Sequence, residues 1–133
     1  MQCGASGCDA RSVALRCLIV DDYDRFLDVA SASLNRDGIE VVGTATTVAE
    51  ALQETERLRP DVVLVDITLG DESGFDLTRR LVAGFPHLRP GVVLISTRAA
   101  GELADLIAAS PKVGFLSKTR LSANAVRELL SER

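Results

Sequence analysis

Four apolar stretches of the chain run into side chains that can do chemistry. "CLIV" leads to Asp21 and Asp22, "VVLV" to Asp66, "VVLI" to Ser96 and Thr97, and "GFL" to Ser117 and Lys118. A carboxylate at the end of a buried-looking run is costly to bury without a partner. Either it caps the next segment, or something brings a cation to it. If the three carboxylates meet, they repel, and protonating one or binding a hard divalent cation relieves the repulsion. Mg²⁺ takes oxygen ligands, keeps several waters and often shares a phosphate. Asp22 and Asp66 could bind such an ion directly, with Asp21 acting through water and the backbone carbonyl of Thr68 as a further ligand. An aspartate beside that ion can also attack phosphorus and form an acyl phosphate. Lys118 and the Ser96 hydroxyl would then serve the transferred oxygens. Thr97 stands beside Ser96, and because neighbouring residues of a strand point to opposite faces only one of the two can supply that hydroxyl.

These residues lie far apart in sequence, so a fold must gather them. Short apolar runs alternate with longer amphipathic segments. Strands are expected at 17–22, 39–45, 61–66, 91–97 and 113–118, and helices at 24–38, 47–60, 73–85, 101–110 and 122–133. Phe26, Leu27, Ala30 and Leu34 share one helical face, and Phe75, Leu77, Leu81 and Val82 are expected to face inward from another. Thr47 and Glu50 have the capping-box spacing, and Gly38 is a helix stop. Five strand–helix pairs imply a doubly wound α/β domain with a parallel sheet and right-handed crossovers. The runs at 18–20, 62–65 and 92–95 are apolar on both faces, as central strands must be, whereas 39–45 is mixed and suits an edge. Sites in such sheets form outside the carboxyl ends of the strands, which is where the polar residues stand.

Composition narrows the classes. The 133 residues fit one domain, and a hydrophobic fraction of 47% fits a globular one. No apolar run approaches the ~18 residues of a membrane span, and the first 14 residues lack the apolar centre of a secretory signal. A cytoplasmic chain is therefore expected, with residues 1–14 as a flexible extension and 15–133 as the domain. A net charge of −4 suggests no broad nucleic-acid surface. Three cysteines, Cys3, Cys8 and Cys17, read as free thiols, and the single histidine, His87, as a surface loop residue. No Cys/His cluster points to zinc.

Taken in order, "IVDD" (19–22), "VVLVDITLGDESG" (62–74), "VVLIST" (92–97) and "GFLSK" (114–118) resemble the receiver domain of bacterial two-component response regulators. The resemblance covers about 15–131. It implies a flavodoxin-like (βα)5 sheet in the order 2-1-3-4-5. It further implies Asp66 as the phosphoacceptor charged by a histidine kinase or phosphotransfer protein. Asp21 and Asp22 would be the acidic pair for Mg²⁺, Ser96 the switch hydroxyl, Lys118 the pocket lysine and Phe115 the aromatic that moves inward with Ser96. Such a domain catalyses at most its own phosphorylation and dephosphorylation. Gly70 replaces a frequent proline, so the loop after Asp66 is expected to be more mobile. Thr119 replaces another, and a trans bond or local strain is expected before it.

Simpler readings stand beside these. Asp21 and Asp22 would cap a helix, Asp66 would sit in a loop, Lys118 would be a solvated charge and Phe115 an ordinary core aromatic. An Mg²⁺-dependent phosphatase with Asp66 as transient nucleophile is an alternative, although Thr68 stands where a second aspartate would be the general acid. A third is an interaction module that takes no phosphate. The chain is expected to be a stand-alone receiver or the receiver part of a longer transcriptional regulator. Its output is expected through a downstream effector or self-association of the 100–133 region.

Overall fold

A computed structural model describes residues 15–85, 88, 91–96, 114–118 and 121–131. The elements are β1 (Arg16–Val20), α1 (Asp24–Arg36), β2 (Glu40–Ala45), α2 (Val48–Leu58), β3 (Val62–Asp66), β4 (Thr68–Leu69), β5 (Glu72–Ser73), α3 (Gly74–Gly84), β6 (Gly91–Ser96), β7 (Gly114–Ser117) and α4 (Ala123–Ser131). The helix expected at 101–110, His87, Thr97, Thr119 and the 1–14 extension lie outside the described residues.

The main sheet is parallel, in the order β2-β1-β3-β6-β7. This is the expected order 2-1-3-4-5 once the small β4–β5 hairpin is set aside. Alternation on the three central strands divides the core in two. Cys17, Ile19, Val62, Leu64, Val93 and Ile95 pack with Leu27, Ala30 and Leu34 of α1 and with Ala123 and Val126 of α4. Leu18, Val20, Val63, Val65, Val92 and Leu94 face Ala51 of α2 and Leu77 and Leu81 of α3. Because residues two apart share a face, an unbroken apolar run supplies both layers. The mixed strand β2 stands at an edge, as its composition suggests.

The helix ends follow from local chemistry. After α1, Gly38 adopts φ +98, Gly38 N–H donates to Asn35 O and Ile39 N–H to Leu34 O, which is the pairing of a Schellman motif. At α2, Thr47 Oγ1 accepts from Glu50 N–H, and Glu50 Oε1 accepts from Thr46 N–H, one residue earlier than a strict capping box. One expectation is corrected in α3. Val82 is exposed, and the buried positions are Gly74, Leu77, Thr78 and Leu81. Thr78 can take a core position because its hydroxyl donates to Gly74 O one turn back, satisfying its polar atom.

Candidate functional site

The sheet brings the strand-end residues together. Val20 ends β1, and Asp21 follows in the turn, its amide donating to Ala45 O of β2. Asp21 Oδ1 accepts from Tyr23 N–H at 2.8 Å, a local bond that turns the chain into α1. Neither Asp21 nor Asp22 caps that helix; the N-cap position is Tyr23, without a side-chain cap bond. Asp66 ends β3 in the neighbouring strand, and Ile95 of β6 is its register partner. Ser96 closes β6, buried, paired with Ser117 of β7. Lys118 comes directly after β7.

Asp21, Asp22 and Asp66 each place a carboxylate oxygen within 4.8 Å of the others. Asp21 is fully buried, Asp66 nearly so, and Asp22 is exposed, so the cluster opens to solvent on one side. The Lys118 ammonium lies 2.5 Å from Asp21 Oδ2 and 3.5 Å from Asp66 Oδ2. The first contact is an ion pair outside hydrogen-bond geometry, and Asp21 Oδ2 is buried without a hydrogen-bond donor among the described residues. With all three aspartates ionised, one ammonium faces three negative charges. At that spacing each like-charge pair costs about 3 kcal/mol for an effective dielectric near 20.

The strain is visible on Asp66, whose carboxyl is pushed up to about 6. Burial is the main cause and the Asp21 charge the second, opposed by Lys118 and by the Thr68 N–H that donates to Asp66 Oδ1 at 3.4 Å. The donor set suits a hard divalent cation, which takes carboxylate oxygens and retains water. The buried Asp21 oxygen, ion-paired to Lys118 but without a hydrogen bond among the described residues, and the opening beside Asp22 fit one as well.

Two features of the pocket wall were not anticipated. Gly74 begins α3 so close to β3 that a Cβ there would stand 2.0 Å from Asp66 O and 2.8 Å from Ile67 Cα. The Gly74 N–H donates to Ile67 O at 2.7 Å, pinning α3 to the backbone that carries Asp66. A glycine directly after Ser73, whose hydroxyl caps α3 by accepting from the Phe75 and Asp76 N–H groups, stands where alanine would favour the helix and is the sequence signal for this close approach. The segment expected to be a mobile loop is the β4–β5 hairpin, turning through Gly70 and Asp71. Gly70 has φ +61, a value closed to proline with its φ near −65°. Glu72 of this hairpin accepts from Val48 N–H at 2.9 Å, capping α2 from a distance. Phe115 is half-buried and packs against the layer formed by α2 and α3.

A doubly wound parallel sheet with an acidic pocket at the carboxyl ends of its central strands defines the class of protein. A family model for the response regulator receiver domain matches residues 17–130, and the chain belongs to that family. The response regulator GacA of Pseudomonas viridiflava is 30% identical over 105 residues, covering 78% of this chain and 48% of its own. The chain thus spans about half the length of that curated relative. The chemotaxis protein CheY of Thermotoga maritima is 32% identical over 94 residues, 71% of this chain and 75% of that protein. The solved structure of a CheY-like response regulator receiver domain protein from Methanospirillum hungatei JF-1 is similar with a TM-score of 0.70 and 26% identity, covering 90% of this chain and 92% of that one. No helix among the described residues is long and apolar enough to cross a membrane.

Proposed function

We propose that this domain is a phosphorylation switch in which Asp66 accepts a phosphoryl group, from a histidine kinase or phosphotransfer protein, with Mg²⁺ in the acidic pocket. The observation that carries the reading is the meeting of three carboxylates with Lys118 at the strand ends, one carboxylate oxygen being buried without a hydrogen-bond donor. Asp21, Asp22, Asp66 and the Thr68 backbone carbonyl would hold the ion. Bound there, it supplies positive charge to the pocket and to the oxygens of the transferred group.

A carboxylate oxygen of Asp66 attacks phosphorus as the phosphorus–nitrogen bond of the donor phosphohistidine breaks, and the leaving imidazole keeps that bond's electron pair. Lys118, now 3.5 Å from Asp66 Oδ2, turns to a phosphoryl oxygen. Ser96, at the end of β6 beside the β3 terminus, donates its hydroxyl to another. Its movement opens space toward which Phe115 shifts, a change that a downstream effector or a second receiver would read through the 100–133 region.

The test is uptake of one phosphoryl group from acetyl phosphate, followed by intact mass. The wild type should be labelled with Mg²⁺ and not with EDTA, and Asp66→Asn should take none. Equal labelling of Asp66→Asn would defeat the assignment.

A further inference from the structure

Lys118 has a third neighbour besides the two aspartates. Its Nζ lies 4.5 Å from the centroid of the Phe26 ring. Phe26 is delivered by the first turn of α1, immediately after the Asp21–Asp22 turn, and packs against the apolar layer under the sheet. It is half-buried at the rim of that layer, whereas Leu27, Ala30 and Leu34 fill the interior of the same helix face. The ring thus stands where the core meets the pocket, with the ammonium beside it.

The three contacts are of two kinds. Asp21 and Asp66 attract Lys118 through charges that also draw it down into the pocket. An aromatic face attracts a cation through its quadrupole, without a single required direction. It also keeps water from that side of the ammonium. A cation held this way can turn from Asp66 to a new oxygen while keeping its aromatic contact.

We propose that Phe26 is a positioning residue for phosphoryl transfer, its ring holding the Lys118 ammonium where it meets the incoming phosphoryl oxygens. This rests on the reading of Asp66 as phosphoacceptor. Phe26 touches no reacting atom; the bond made at Asp66 and the bond broken in the donor are unchanged. The ring narrows the positions Lys118 samples, so less ordering is left for the transition state.

Three measurements test this on the full chain. First, the methylene protons next to Lys118 Nζ should show an aromatic ring-current shift by NMR that disappears in Phe26→Leu. Second, the initial rate of uptake from acetyl phosphate in Mg²⁺ should fall about three- to thirtyfold in Phe26→Leu, while Mg²⁺ affinity stays at the wild-type value. Phe26→Tyr should keep most of the rate. Third, phenylalanine carrying one and then three ring fluorines at position 26 keeps the shape while weakening the quadrupole. The rate should fall stepwise, which a packing role would not produce, and this series stands even if Phe26→Leu folds poorly. Uptake by the wild type with an unchanged rate across the fluorinated series overturns the role of Phe26 and leaves the phosphoacceptor reading intact. No uptake by the wild type overturns that reading and this one with it, whatever the ring-current result.

Discussion

Replacing Asp66 by asparagine should make the metal-free domain more stable, although it removes the proposed reactive group. The folded protein raises the Asp66 carboxyl from 3.8 to about 6, chiefly through burial and then through the Asp21 charge. A folded state that holds a proton more tightly than the unfolded chain is weakened when that proton leaves. For Asp66 the weakening is absent well below 3.8, grows as pH rises to about 6, and is complete above that. At about 1.36 kcal/mol per pH unit, the gap of roughly 2 units gives about 3 kcal/mol as a ceiling. Asparagine has nearly the same shape and carries no charge, so it avoids this term. Urea denaturation at neutral pH in EDTA should show the variant more stable by about 1–3 kcal/mol, or on the order of 10 °C in melting temperature at the upper end. The difference should vanish as pH falls toward 4, where the wild-type carboxyl is protonated. Saturating Mg²⁺ should stabilise the wild type more than the variant, because the variant has lost one ligand charge. A variant less stable than wild type in EDTA, or a gap independent of pH, would refute the reasoning.

Other consequences follow from the pocket wall and the core. Gly74→Ala places a methyl group against the Asp66 carbonyl, and overpacking against backbone should cost about 1–3 kcal/mol in urea denaturation and weaken Mg²⁺ binding by displacing Asp66. Glu72→Ala removes the cap on Val48 N–H and should cost about 0.5–2 kcal/mol, with Glu72→Asp or Glu72→Gln recovering part of it by thermal denaturation. Burial pushes the Cys17 thiol up to about 12, so peptide mapping after treatment with a thiol reagent near pH 8 should find Cys17 unmodified in the folded protein and modified in urea.

Much of this arrangement was legible in the residues themselves. The doubly apolar runs at 18–20, 62–65 and 92–95 could be satisfied only between two helical layers, which fixed a parallel sheet. That sheet then brings Asp21, Asp66, Ser96 and Lys118 to the carboxyl ends of neighbouring strands, where the structure has them. Periodicity was less able to set the limits of a face. Val82 lies one residue beyond Leu81 on α3 and falls on the solvent side, while Thr78 is buried because its hydroxyl finds Gly74 O, a bond invisible to hydropathy. The β4–β5 hairpin was missed because two-residue strands carry no period to read. Glu72 capping Val48 and Phe26 beside Lys118 are pairings between distant segments. Their residue types were ordinary, and only the packed structure brings them into contact.

The central claim is that the pocket makes Asp66 the atom source of a new bond to phosphorus. Its most direct measurement is to treat the domain with acetyl phosphate and Mg²⁺ and reduce the product with borohydride, which converts an aspartyl phosphate to homoserine with loss of phosphate. The tryptic peptides are then sequenced by mass spectrometry. Homoserine at position 66 alone, and none when Mg²⁺ is withheld, is the predicted result. Homoserine at position 21 or 22, or aspartate unchanged at all three positions, would contradict it.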